Sequence, residues 1–201
     1  MKKIFTLFLI VSFVFGLSAC GTGEAVLPTT DTSEPAACRI YECDYKSLNL
    51  NTKITTTIDG TDITISGNVF RLLTDPLTVK DSDGNVMGYA GDAYGIISQD
   101  DHGIYVGDTF EINMCGNVDF LGNSYELKDS QGNVVATAEF NTFNTKGTIV
   151  DTNGVLIAKY SSGALRNDYT VAIYDNAICS DMAILMIMAS YVSDYQADSK
   201  K

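Results

Sequence analysis

The side chains that could do chemistry in this chain are few and unevenly placed. His102 is the single histidine, and so the one imidazole available as a general base near neutral pH. It stands in the sequence Asp100-Asp101-His102-Gly103, which reads as a solvated turn. No Gly-x-Ser-x-Gly elbow offers a serine for it to activate. Carboxylates are the abundant groups. Asp81-Ser82-Asp83-Gly84-Asn85 has the opening of an Asp-x-Asp-Gly calcium loop, and Asp100 and Asp101 add further oxygens. Calcium takes about six to eight oxygen ligands, and no glutamate follows at the spacing that closes such a loop. Asp81, Asp83, Asp100 and Asp101 are therefore the calcium candidates, but a turn explains the same residues with less. No resident cofactor is expected. Cys38, Cys43, Cys115 and Cys179 permit two disulfides in three pairings. Cys38 and Cys43 flank four residues and could close a small loop, or both could stay reduced. Cys115 and Cys179 lie in apolar surroundings that suit buried free thiols. Zinc is disfavoured without a Cys-x-x-Cys pair.

The fifth cysteine belongs to a different chemistry. Lys2 and Lys3 form a basic start, and Ile4 to Phe15 is apolar but for Thr6 and Ser12. That run has the length of a secretory core and falls short of the roughly twenty residues that span a bilayer. It ends in Leu17-Ser18-Ala19-Cys20. Small residues before a cysteine at this place resemble the lipobox of bacterial lipoproteins. The resemblance implies removal of residues 1–19, attachment of diacylglycerol to Cys20, and a protein held outside the cytoplasm on the bacterial cell membrane. Acyl chains anchor by burial, at about 0.8 kcal/mol per methylene.

Charge narrows the partners. The chain has 25 acidic and 13 basic residues, a net charge of −12. Loss of the signal removes Lys2 and Lys3 and no acid, taking the balance to −14. Nucleic acid is excluded as a partner, because phosphates must be met by clustered Lys and Arg. Anionic lipid heads would repel the same surface, so the lipid alone must hold it to the membrane.

Behind these residues stand the elements that must position them. Residues 20–37, rich in Thr, Gly, Pro and Glu, read as the lipidated cysteine and a tether. Seventeen residues from Gly21 to Ala37 reach about 55 Å when extended. From residue 38 to 201 one domain is expected, built of short alternating segments. Lys53–Ile58 and Thr61–Ile65 flank Asp59-Gly60, a hairpin signal. The phrase Leu77-Thr78-Val79-Lys80-Asp81-Ser82-Asp83-Gly84-Asn85-Val86 returns as Tyr125-Glu126-Leu127-Lys128-Asp129-Ser130-Gln131-Gly132-Asn133-Val134. Looser copies are Asp151–Val155 and Asp100–Ile104. In each, Asp opens a turn and Gly takes its left-handed position. About a dozen strands follow, the mark of a sandwich or barrel.

The last segment breaks this rhythm. Met182 to Val192 carries no charge, and Ser180 or Asp181 offers an N-cap for a helix. Apolar side chains cover every face, so the helix has no wet side. Eleven residues rise about 16 Å, half of a hydrocarbon core. Burial inside a closed sheet answers the pattern, since a barrel wider than about eight strands leaves a lumen its own side chains cannot fill. The expected fold is mainly β: a closed antiparallel barrel of about twelve strands around a buried apolar C-terminal helix. Tyr169, Val171 and Ile173 should face that helix.

The recurring Asp-x-x-Gly-Asn-Val hairpins and the run Asn167–Ile173 before an apolar helix resemble the tubby C-terminal-like superfamily, which includes LURP-one-related proteins and phospholipid scramblases. The resemblance covers about residues 52–195. It implies a twelve-stranded barrel plugged by its last helix. Tubby domains bind phosphoinositides through surface Lys and Arg, whereas the basic residues here are dispersed from Arg39 to Lys201. The proline-rich tail, palmitoylated cysteines and acidic calcium segment of scramblases have no counterpart. The resulting expectation is a lipid-anchored envelope or binding module without catalysis, engaging a protein or lipid ligand. Scramblase-like lipid handling is the alternative, and a hydrolase using carboxylates the lesser one.

Overall fold

The computed structural model describes residues 38–48, 51–68, 77–92, 101–116, 124–141, 145–163 and 168–198. Residues 1–37, on which the expected signal, Cys20 and the expected tether fall, lie outside them, as do Asp100 and Asn167. The strands are β1 (Cys38–Leu48), β2 (Asn51–Ile58), β3 (Thr61–Asn68), β4 (Leu77–Asp81), β5 (Val86–Asp92) and β6 (Asp101–Val106). They continue as β7 (Thr109–Gly116), β8 (Ser124–Lys128), β9 (Val134–Phe140), β10 (Lys146–Asp151), β11 (Leu156–Ser162) and β12 (Asp168–Tyr174). One helix follows, α1 (Asp181–Asp198).

Each strand pairs antiparallel with its sequence neighbours, and β1 pairs with β12 to close a barrel of twelve. The closing seam runs from Cys38↔Tyr174 to Asp44↔Asp168. β1 meets β2 over its other half, from Asp44↔Thr55 to Leu48↔Asn51. Only Asp44 is paired on both sides. This offset is the stagger that tilted strands need in order to close a sheet.

Local chemistry sets the hairpins. Asp59 and Gly60 have φ of 49° and 79°, the left-handed pair of a two-residue turn whose twist matches its strands. Gly84, Gly132 and Gly154 have φ between 80° and 87°, which a side chain would oppose. Because strands alternate in direction, the β2–β3, β4–β5, β6–β7, β8–β9 and β10–β11 turns all lie at one end of the barrel. We call it the turn end; β12 leads into α1 there. The other connections form the loop end, and most of their residues lie outside the described set.

The helix passes through the barrel. Every residue from Ala183 to Val192 is buried, and α1 packs against β2, β3, β5, β6, β7 and β12. Tyr169, Val171 and Ile173 face it at 3%, 2% and 0% exposure. Ser180 caps the first turn, its hydroxyl accepting from the Ala183 amide at 3.3 Å. The helix runs past Val192 to Asp198, longer than the uncharged core alone implies. No described helix is long and apolar enough to cross a membrane.

One stretch departs from the sequence reading. Asp101 to Ile104 belongs to β6, and the turn lies beyond it at Gly107-Asp108. Pairing of β6 with β5 and β7 carries this segment into the wall, opposite Ala90–Asp92 and Ile112–Cys115. Tertiary pairing overrides its turn composition.

Candidate functional site

At the turn end, the start of β1 is tied to the start of the helix. Arg39 Nε and Nη2 donate to the two carboxylate oxygens of Asp181 at 2.6 and 2.9 Å. Its Nη1 donates to Asp175 at 3.0 Å. The Tyr41 hydroxyl also donates to Asp181. The planar guanidinium suits this two-pronged contact. Asp181 is the first residue of α1, where negative charge also meets the positive end of the helix dipole. Burial opposes ionisation of Asp181, but the hydrogen bonds from Arg39 and Tyr41 outweigh it and hold the carboxyl below the ordinary range. Burial, then the bond to Asp181, pushes Tyr41 up to about 12. The hydrogen bond to Asp181 likewise raises Arg39. The arrangement is a clamp across 142 residues of sequence, and no composition pattern announces it. Its only local hints are an Arg beside Cys38 and an Asp at a helix start.

The repeated hairpins place their aspartates alike. Asp81 accepts from the amides of Asp83 and Asn85 at 3.0 and 2.8 Å, and from the Asn85 side chain at 2.8 Å. Asp129 accepts from the amides of Gln131 and Asn133, both at 2.9 Å. Asp151 does so from Asn153 and Val155, both at 2.8 Å. The Asn side chain is the first cause lowering the carboxyl pKa at Asp81 and Asp129, and the Val155 amide at Asp151. These carboxylates are turn-formers with their oxygens engaged. The calcium candidates are not brought together: Asp81 and Asp83 lie at the turn end, Asp101 begins β6 at the loop end, and Asp100 is outside the described residues. Among the described residues no three His, Cys, Asp or Glu side chains gather as a metal site.

The interior at the loop end is aromatic. Tyr45, Tyr169, Tyr160, Phe140, Tyr191 and Tyr125 form a continuous chain of ring contacts with centroids 3.7–6.1 Å apart. Phe140 stacks on Tyr191 of the helix at 3.7 Å and covers Gly147, where a Cβ would come within 2.4 Å of its ring. The Tyr191 hydroxyl lies 3.4 Å from the Asn141 carbonyl oxygen. His102 is 3% exposed and paired with Met114 across β6 and β7. It is a core histidine, not a solvated turn residue. The void between Tyr160, Tyr169, Cys43 and helix residues Leu185, Met188 and Val192 has room for about one water.

The thiols follow the same logic. Cys43 is free and buried, so the Cys38–Cys43 disulfide is not formed. Both belong to one extended strand, and five residues of strand separate their Cα atoms by about 16 Å, against the roughly 7 Å limit for a bridge. Burial pushes Cys43 up to about 11 and Cys179 up to about 12, which leaves little thiolate for chemistry. Cys115 and Cys179 are in no disulfide either, and the Asn113 side-chain amide lies 3.2 Å from the Cys115 sulfur.

No family model matches the chain, and no curated protein matches it. Among solved structures, the X-ray structure of a protein from Arabidopsis thaliana aligns with a TM-score of 0.34 at 10% identity. The alignment covers 81% of this chain and 94% of that one.

Proposed function

We propose that this protein is a lipid-anchored, extracytoplasmic binding module of the bacterial envelope, of tubby/LURP-one type and without catalysis. The observation that carries the reading is the filled barrel. Helix residues Ala183–Val192 occupy the lumen as core, so recognition falls to the outer surface and the two ends. A Leu-Ser-Ala-Cys signal and a tether leading directly into β1 support the anchor. The same filled lumen weighs against scramblase-like carriage of a lipid inside the barrel, and leaves lipid recognition to the exterior. Cys20→Ala tests the anchor: the variant should leave the membrane fraction, and unchanged fractionation refutes it. Liposomes varying in head group, offered to the Cys20→Ala variant so that no acyl chain contributes, test the lipid alternative, and binding to any of them at low salt would favour it.

A further inference from the structure

The two halves of β1 are fastened unequally. Cys38 to Cys43 pair with β12 alone, and β2 joins only at Asp44. On the β2 side, where a backbone amide would stand, the Thr56 hydroxyl donates to the Glu42 carbonyl at 2.7 Å. Ile40 turns outward and is 63% exposed. What holds this half, besides one ladder, is a row of inward side chains. Arg39 and Tyr41 donate to Asp181 at the helix start, and Arg39 to Asp175. Tyr41 and Cys43 are buried against the core. Six strands away, β7 has a one-sided stretch of its own, Thr109–Ile112. The turn at Gly107-Asp108 ties that stretch to β6, and Glu111 accepts from the Ser180 amide at 3.2 Å. Among the described residues no turn ties the start of β1 in this way.

We propose that Cys38–Cys43 is a flap, hinged at Asp44 and latched to the helix start by Arg39, which swings open while the rest of the barrel stays folded. Asp44 is the hinge because the two ladders of β1 meet there. Opening breaks one ladder of hydrogen bonds rather than two, together with the contacts of Arg39 and Tyr41. Segments held by few bonds open locally at a free energy below that of global unfolding. The open flap uncovers Cys43 and the small void between it, Tyr160, Tyr169, Leu185 and Met188. It gives a filled barrel a way to expose interior surface without expelling its helix. The device does not depend on lipid at Cys20.

The buried Cys43 thiol reports the opening. The full chain, purified in mild detergent, is treated with N-ethylmaleimide at fixed pH, and modification of Cys43 is followed by peptide mass spectrometry. In the wild type the rate should stay flat as urea rises below the unfolding transition, because local opening exposes little surface. Arg39→Ala should label Cys43 about tenfold faster. Tyr191 meets Phe140 and Tyr125 rather than the flap, so Tyr191→Ala should label within about twofold of the wild type. A rate that climbs with urea in step with global unfolding overturns the flap. So does a Tyr191→Ala variant accelerated as much as Arg39→Ala, since Cys43 would then react only through the unfolded chain. An unchanged rate in Arg39→Ala denies the latch and overturns the proposal as well. Should Tyr191→Ala fail to fold, the urea series on the wild type decides between local and global opening by itself.

Discussion

The two ends of this barrel are held by different kinds of information. At the turn end, short Asp- and Gly-containing turns fix the strands from within, and one ion-pair clamp ties β1 to the helix. At the loop end, order in the interior comes from side chains distant in sequence: Tyr45, Tyr125, Phe140, Tyr160 and Tyr169 pack around Tyr191. The first end is specified residue by residue, and the second only once the helix is in place. Damage to the helix should therefore cost far more than damage to a turn.

The helix itself gives the largest effect. Leu185→Asp strands a carboxylate at a position 2% exposed, at a cost of several kcal/mol. The variant should lose its cooperative thermal transition in circular dichroism, and a cooperative, soluble variant would contradict the plugged barrel. Tyr191→Ala removes the centre of the aromatic chain and should cost about 3–5 kcal/mol in urea unfolding. A loss under about 1 kcal/mol would show that the loop end holds together without the plug.

Arg39→Ala tests the opposite end. It breaks the contacts to Asp181 and Asp175 but leaves a partly exposed carboxylate, so about 1–2 kcal/mol is expected. Tyr191→Ala and Arg39→Ala should add to within about 0.5 kcal/mol, because the two ends share no partner. Strong coupling would mean that the helix transmits strain between them. Acid sharpens the same comparison. Asp181 titrates below its unfolded value of about 3.9, so its contribution is complete at neutral pH. It is lost as pH falls through the depressed folded pKa. Asp181→Asn should flatten part of the fall in urea midpoint between neutral pH and about pH 2.5. The lowered carboxyls of Asp81, Asp129 and Asp151 should preserve the rest. The smallest effect belongs to a single turn. Gly132→Ala opposes a φ of 84° and should cost about 1 kcal/mol, leaving the spectrum native.

What was legible in the sequence follows this division. The hairpins at Asp59-Gly60, Asp81–Val86 and Asp129–Val134 could be read because an Asx turn and a left-handed glycine are local events. The helix could be read because an uncharged segment apolar on every face has few places to go. His102 could not: Asp100-Asp101-His102-Gly103 has turn composition, and only pairing with β5 and β7 makes it a strand. The Arg39–Asp181 clamp was hidden for the same reason, since its partners meet only after the barrel closes. The small loop imagined between Cys38 and Cys43 failed because β1 extends through both residues to reach β12 and then β2. Val86, Val134 and Val155 stood at matching places in a repeated phrase, but their common exposure became plain only when the hairpins shared an end.

The divided pairing of β1 also sets an order of assembly. During synthesis this strand appears first, and its early half has no neighbour until β12 arrives, as the distance from Arg39 to Asp175, 136 residues along the chain, makes plain. The plug comes immediately behind that last strand. The wall therefore receives its final stave and its filling almost together, and a sealed, hollow barrel need never form. A chain cut short before Asp181 would have every stave and nothing to close around.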